Sequence, residues 1–229
     1  MEYAAKDILD VMSFARNYNN FLVKKIVAAL RGLNAAQILD FGAADGFFAE
    51  KIRDKTGCRL TCVEIDKAQL ECCAQKGFQT AKTLDAVADS SVDLIYSLNV
   101  LEHIEDDAAV FADFYSKLKS GGVVFIYVPA FMALFSALDV KAQHVRRYSK
   151  KELLGKMRAA GFKIKTCEFA DSTGIAATFW YKFFGNKNGE LNKQAIIFYD
   201  RAVFPFSRFL DKILFKTFAG KNLLAVGVK

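Results

Sequence analysis

Histidine is nearly missing from this chain, whose 229 residues include only His103 and His144. A metal cluster would have to be built mainly from carboxylates, and no such cluster is evident, so no metal is expected. The five cysteines, Cys58, Cys62, Cys72, Cys73 and Cys167, are odd in number and have no C-x-x-C spacing. That excludes a disulfide framework or a thiolate zinc site and makes a reducing cytoplasm the default setting. Pro-rich linkers, low-complexity tracts and internal repeats are also missing, so a single domain over 1–229 is expected. The N-terminal run Met1-Glu2-Tyr3-Ala4-Ala5-Lys6-Asp7 lacks the basic-then-apolar order of a signal peptide.

Negative charge is scarce at one end. Residues 151–229 hold 14 Lys/Arg against 6 Asp/Glu, whereas residues 1–150 hold 18 against 19. The basic last third suits anionic lipid, nucleic acid or a phosphorylated substrate, or is a solvated basic face. From Gly121 to Leu138, 18 residues carry no charge, long enough to raise a membrane span. Their order points elsewhere: Val123-Val124-Phe125-Ile126-Tyr127-Val128 is a β-branched and aromatic strand, and Pro129 breaks the run where a spanning helix would be mid-course. What is abundant is phenylalanine, 22 residues in a chain that is 53% hydrophobic. So many rings need a core, an aromatic pocket or an apolar surface to occupy.

From about Ala4 to Leu33 apolar residues recur at helical spacing, through Ile8, Val11, Met12, Phe21, Leu22, Ile26 and Leu30, with an interruption near Asn17-Tyr18-Asn19-Asn20. One or two helices are expected across 1–34. Strand-like runs at 36–41, 59–64, 78–81, 92–98, 122–128 and 162–169 then alternate with helical runs near 46–56, 66–76, 105–118 and 150–160. That alternation predicts an α/β fold, a doubly wound parallel sheet with helices on both faces, over 35–169. The stretch 129–149 lacks periodicity and reads as a long functional loop that ends at a capping box, Ser149 and Glu152. A helical insertion over 170–220, with helices near 172–184 and 190–218, precedes a last strand in 221–229. Within it Phe206, Phe209, Leu210, Ile213 and Leu214 share one face opposite Arg208, Lys212 and Lys216. This amphipathic stripe either packs on the sheet, caps the substrate pocket, or meets a membrane surface.

The chemistry concentrates in Ile38-Leu39-Asp40-Phe41-Gly42-Ala43-Ala44-Asp45-Gly46, a strand ending in an acid and opening into a glycine-bearing turn. Such a turn puts backbone N–H groups at the C-terminal edge of a parallel sheet, where open α/β folds bind ligands. The middle glycine of G-x-G-x-x-G is absent, and Ala44 stands at the nearest position. Leu60-Thr61-Cys62-Val63-Glu64-Ile65-Asp66 closes a second strand on two acids, with Glu64 lying 22 residues after Gly42. At a spacing of ~20 residues an acid meets ribose, and a carboxylate accepts both vicinal O–H groups. Asp66 reads as the N-cap of the next helix. The same succession also describes a nicotinamide dinucleotide site.

Together with Val92-Asp93-Leu94-Ile95-Tyr96-Ser97-Leu98-Asn99-Val100-Leu101-Glu102-His103-Ile104 and Leu118-Lys119-Ser120-Gly121-Gly122, these motifs resemble the class I S-adenosylmethionine-dependent methyltransferases of small-molecule type. The resemblance runs in order from about residue 36 to 169 and fits better than a nicotinamide site. It implies a Rossmann-like sheet of seven strands, six parallel and the last antiparallel, with an N-terminal helical lid. It also implies S-adenosyl-L-methionine as cofactor and S-adenosyl-L-homocysteine as product. Asp40 would then orient the cofactor's ammonium directly or through water, and the turn at Gly42, Ala43 and Gly46 would hold its methionine end. Glu64 would take the ribose, Ile65, Leu84 and Asp85 the adenine, and Asn99 would face the methionine end or the substrate.

Methyl transfer from a sulfonium needs alignment and exclusion of water, and an oxygen acceptor of high pKa also needs a base. That singles out His103 and His144 as catalytic candidates, with helix capping or packing as the alternative for His103. His144-Val145-Arg146-Arg147-Tyr148 resembles a run in a subset of small-molecule methyltransferases of sugar or lipid-linked pathways. Arg146, Arg147 and Tyr148 are expected to bind an acidic group of the substrate; the alternative is that the arginines clamp the loop to Asp139 or to helix ends. Tyr18 is a further substrate-side candidate, closing over the cofactor. The expected enzyme is a cytoplasmic methyltransferase, membrane-peripheral if the basic helix docks, acting on a small-molecule or lipid-linked acceptor. RNA methylation is one alternative, against which stand the lack of an Asn-Pro-Pro-Tyr-like motif, a Pro-Cys nucleophile or an RNA module, so nucleic acid is not an expected partner. A non-catalytic cofactor-binding or scaffold protein of the same fold is the other.

Overall fold

The computed structural model describes residues 6–30, 36–184, 191–213 and 217–229. Its sheet consists of β1 (Gln37–Phe41), β2 (Arg59–Val63), β3 (Gln79–Ala81), β4 (Val92–Leu98), β5 (Leu118–Pro129), β6 (Lys163–Ala170) and β7 (Asn222–Val228). The spatial order is 3-2-1-4-5-7-6; six strands run parallel, and β7 lies antiparallel between β5 and β6. This is the expected doubly wound arrangement. The central strands are nearly unbroken apolar runs because both faces are covered: Leu94, Ile95 and Tyr96 of β4 and Val124 to Tyr127 of β5 are fully buried. Much of the charge-free run from Gly121 is therefore sheet interior, and among the described residues no helix is long and apolar enough to cross a membrane.

Helices α1 (Lys6–Met12) and α2 (Arg16–Ala29) precede the sheet; α3 (Phe47–Thr56), α4 (Lys67–Gln75) and α5 (Asp107–Lys117) follow β1, β2 and β4. Asp66 caps α4 as expected, its Oδ1 accepting the Gln69 N–H at 3.0 Å. The interruption in the N-terminal helices falls at Ser13-Phe14-Ala15 instead of Asn17–Asn20. A distant carboxylate decides this, because Asp200 accepts the first-turn N–H groups of Asn17 and Tyr18, both at 2.9 Å, and so starts α2 there. The 129–149 connection is more ordered than its sequence suggests: Ala130 and Tyr148 form a parallel bridge, and α6 (Ala137–Lys141) fills part of the span. Helix α7 (Lys150–Ala159) begins where Ser149 Oγ accepts the Glu152 N–H at 3.1 Å.

The insertion comprises α8 (Thr173–Phe184), α9 (Lys193–Phe198), a π-helical turn (Tyr199–Val203) and α10 (Phe204–Ile213). Leu214 and Lys216, at the end of the expected stripe, lie outside the described residues. Helix α10 is inverted: Ser207 and Asp211 are buried, whereas Phe206, Phe209 and Ile213 are 57%, 59% and 63% exposed. Its polar face is the bonded one. Asp211 accepts the N–H groups of Asp171 and Ser172 at 2.9 and 3.0 Å, and Ser207 Oγ donates to Asp171 Oδ1 at 3.0 Å. The stripe thus faces outward, neither packing on the sheet nor capping the pocket. Trp180, Phe183 and Phe198 are exposed on the neighbouring helices.

Candidate functional site

Strand order reverses between β1 and β4, and the crevice at their C-terminal ends is where such sheets take ligands. A cavity of about 540 Å³ lies there. Of the residues expected to hold a cofactor, Gly42, Glu64, Ile65, Leu84, Asp85 and Asn99 line it, and His103 also reaches its wall. Gly42 is required twice over: its φ is +79°, and a Cβ there would overlap the Val100 side chain. Asn99 takes φ +53°, a left-handed conformation asparagine tolerates, and donates its N–H to Tyr127 O at 2.8 Å. Ala44 adopts φ +47°, so the alanine near the missing glycine keeps a glycine's backbone at a strain of ~1–2 kcal/mol.

The turn uses its N–H groups differently from expectation. Those of Gly42 and Ala43 both donate to Val63 O, at 2.9 and 3.2 Å, and that of Gly46 donates to Ala43 O at 2.9 Å. The Ala44 N–H donates to Glu64 Oε2 at 2.9 Å, while Glu64 Oε1 accepts the Asp66 N–H at 2.9 Å. Asp40, Ala43 and Gly46 are not among the residues that line the cavity; they shape the turn from behind, which leaves Asp40 the water-mediated form of its expected role. Asp40 is buried, its Oδ2 accepts the Tyr96 hydroxyl at 2.5 Å, and burial pushes its carboxyl up to about 7. The wall itself fits a nucleoside. Ile65 is left 65% exposed with Leu84 in the same cavity, and Glu64 and Asp85 supply acceptors for hydroxyl groups.

The two histidines come together. His103 ends the 3₁₀ turn after β4, His144 lies between α6 and α7, and their rings meet edge-on with centroids 4.6 Å apart. His144 Nδ1 is 2.8 Å from Asp139 Oδ1, and its Nε2 is 3.9 Å from Glu102 Oε1. Glu102 is fully buried with neither carboxylate oxygen hydrogen-bonded, and burial pushes its carboxyl up to about 8. Burial, then the neighbouring His144, pulls His103 down to about 4, which leaves it neutral near pH 7. Donor atoms of Glu102, His103 and His144 all lie within 4.8 Å of one another. The grouping was not evident in the sequence, because His144 lies some forty residues beyond the adjacent Glu102 and His103 and only the fold brings it to them.

Arg146, Arg147 and Tyr148 do not reach the cavity. Arg147 is buried and donates from Nε and Nη2 to Asp139 at 2.7 and 2.9 Å. Burial alone would raise the Asp139 carboxyl, yet its bonds to His144 and Arg147 hold it well below the usual carboxylate range. Arg146 Nη1, Lys156 Nζ and the Tyr148 hydroxyl converge on Asp107, at 3.1, 2.6 and 2.5 Å. Their expected substrate role is corrected: they fasten the loop, as the clamp alternative had it for the arginines. Tyr18 lies beneath the site, edge-on to Tyr127 and Phe204 at 6.0 and 5.5 Å and beside Asn99, with burial pushing its phenol up to about 12. Leu9 of α1, in its place, reaches the wall. Sequence reading missed Lys82, Thr83 and Gln143, whose signal was adjacency to Leu84 and His144.

With this geometry, the chain belongs to the methyltransferase domain family, which it matches over residues 14–166. The fold that carries this domain is the Rossmann-like one, with its seven-stranded sheet in the order 3-2-1-4-5-7-6. The ubiquinone biosynthesis O-methyltransferase of Xanthomonas campestris pv. campestris is 26% identical over 136 residues, 55% of this chain and 56% of the relative. The chain thus spans about half the length of the curated relatives it matches. In fold it is similar to an S-adenosylmethionine-dependent methyltransferase from Archaeoglobus fulgidus, with TM-score 0.62 and 16% identity over 97% of this chain and 99% of that one. The geranyl diphosphate C-methyltransferase of Streptomyces coelicolor A3(2), solved with Mg²⁺, geranyl diphosphate and S-adenosyl-L-homocysteine, gives TM-score 0.65 and 14% identity over 91% and 80%.

Proposed function

We propose that the chain transfers the methyl group of S-adenosylmethionine to a small apolar or lipid-linked acceptor at the cytoplasmic face of an anionic membrane. The inverted α10 carries the membrane part: Phe206, Phe209 and Ile213 stand in solvent on a chain segment rich in Lys and Arg. Rings entering the interface and basic side chains meeting anionic headgroups are the two terms that hold a peripheral helix on lipid. The names of similar proteins support the acceptor class, since ubiquinone and geranyl diphosphate both carry an apolar chain.

The cofactor supplies a methyl group already activated on a sulfonium; the chain supplies position. Glu64 is fixed by two backbone N–H groups before any ligand arrives, so its oxygens lose little freedom when they accept ribose hydroxyls. Ile65 and Leu84 offer the apolar surface for the base. Asn99, held left-handed as Gly42 is, and His103 stand on the same cavity wall, where an acceptor would approach the methyl group.

Calorimetry with S-adenosyl-L-homocysteine should show binding; its absence from folded protein would remove the transferase reading. Supplied with methyl-labelled cofactor and fractionated cell extract, the enzyme should place label in the organic phase. Label confined to the aqueous phase would sink the lipid-linked acceptor. Co-sedimentation with phosphatidylglycerol-containing vesicles, and none with pure phosphatidylcholine, is the expected membrane result; protein left in the supernatant with both refutes it.

A further inference from the structure

With Arg146, Arg147 and Tyr148 tied down, His144 and buried Glu102 remain to be explained, the latter with no hydrogen bond to either carboxylate oxygen. We propose that the two belong to one feature: Glu102, His103 and His144 are the protein ligands of a divalent transition-metal ion at the cavity wall. Two imidazoles and a carboxylate are borderline donors suited to Zn²⁺, Fe²⁺ or Co²⁺. Their donor atoms already lie within 4.8 Å of one another, and His144 Nε2 is 3.9 Å from Glu102 Oε1. Tetrahedral ligands at 2.0–2.1 Å from zinc stand ~3.3 Å apart, so that pair closes on an ion with a shift of about half an ångström.

Glu102 is the first reason to expect an ion. It has no solvent exposure, and both its oxygens lack a hydrogen-bond donor, so both are open to a cation. The second is the order of groups behind His144. Its Nδ1 faces Asp139 Oδ1 at 2.8 Å, and Asp139 is held in turn by Arg147 Nε at 2.7 Å and by the Ser136 N–H at 2.8 Å. A proton held on Nδ1 by that carboxylate leaves the lone pair on Nε2, the nitrogen nearer Glu102. Carboxylate behind imidazole is how proteins orient a metal-ligating histidine and raise its basicity. A loop clamp alone would need only the Arg147 and Asp139 pair; it gives no reason for a bare carboxylate among two imidazoles.

Three protein ligands leave a coordination position open, and His103 carries that position to the cavity, where Asn99 and Gln143 are also found. The ion would hold an acceptor through an oxygen donor such as a hydroxyl, phenol or carboxylate. The site does not depend on that acceptor being lipid-linked.

The test is Co²⁺ titration of the full chain after purification in chelator. One equivalent should saturate, with visible d–d absorption and a raised Tm, and Zn²⁺ should abolish the colour. Glu102→Gln and His144→Ala should each remove the absorption. Asp139→Asn, which leaves all three ligands in place, should weaken Co²⁺ affinity by ~10–100-fold. Titration of each variant with S-adenosyl-L-homocysteine reports an intact cavity, and near-isosteric Glu102→Gln decides the matter if the His144 variant does not fold. No saturable Co²⁺ binding by the wild type, or unchanged binding by Glu102→Gln, overturns the proposal. Co²⁺ binding without S-adenosyl-L-homocysteine binding would leave the metal site standing and remove the transferase reading.

Discussion

The C-terminal edge of the sheet and the helical insertion bury opposite kinds of residue. At the edge, β1, β2 and β4 put apolar side chains inside, and Glu64 after β2 and Asn99 after β4 face the cavity. In the insertion, Asp171, Asp200 and Asp211 are inside; of its rings Phe204 is buried, while Trp180, Phe183, Phe198, Phe206 and Phe209 are outside. Those three acids are fully engaged: Asp200 starts α2, Asp211 binds the chain after β6, and Asp171 Oδ1 accepts the Tyr199 hydroxyl at 2.5 Å and that of Ser207 at 3.0 Å. The edge is therefore held by burial of apolar area, and the insertion by charge-assisted hydrogen bonds. One region keeps its apolar surface for the core; the other leaves it for something that is not this chain.

That contrast can be broken from either side. Gly42→Ala should act most strongly, because a Cβ overlapping Val100 at positive φ adds ~2–5 kcal/mol of strain and overpacking; calorimetry should show cofactor-product affinity falling by at least tenfold. Next is pH. Asp40 is neutral in the folded chain up to about 7 but ionises near 3.8 when unfolded, so the folded state binds the extra proton between those values. Stability from this group is therefore complete below the unfolded value, falls as pH rises, and is lost above about 7. The wild type minus Asp40→Asn difference in urea midpoints should trace that decline, worth up to about 4 kcal/mol at ~1.4 per pH unit. A flat difference would deny the burial effect.

On the insertion the signs reverse. Phe206→Ser with Phe209→Ser should weaken binding to anionic vesicles by about 2–3 kcal/mol while leaving Tm within a few degrees, since neither ring is in the core. Asp211→Ala, one turn away on the buried face, should instead lower stability by about 1–3 kcal/mol, measured by denaturant unfolding, by stranding two backbone N–H groups. Equal stability losses from both would erase the distinction between the faces. The smallest effect belongs to Ala44→Gly, which should raise stability or cofactor affinity by about 1 kcal/mol by relieving its left-handed backbone.

Strands were legible because buried parallel strands are written as short β-branched runs; β1, β2 and β4 fall within a residue or so of their expected spans. Gly42, Glu64 and Asn99 were legible because each sits at a strand end, a place that local sequence defines. What escaped was decided by distant partners. Periodicity located the stripe of α10 but could not say which face was buried, since the answer lies with Asp171 and the chain after β6. Nor could it show that the N–H groups of the turn are taken by Val63 and Glu64, or that α2 starts under Asp200. Arg147 and Asp139 stand eight residues apart, and there the clamp alternative was within reach.

The place of β7 also sets a clock. Asn222–Val228 pairs with β5 on one side and β6 on the other, so it is an interior strand supplied late in synthesis. Until those residues leave the ribosome, β5 and β6 each show an open edge, and the apolar run of β5 is the segment least suited to wait in that state. At ~5–20 residues per second the interval after β6 lasts several seconds. During that interval the sheet is in two pieces, β1 to β5 and β6 alone, which only β7 joins.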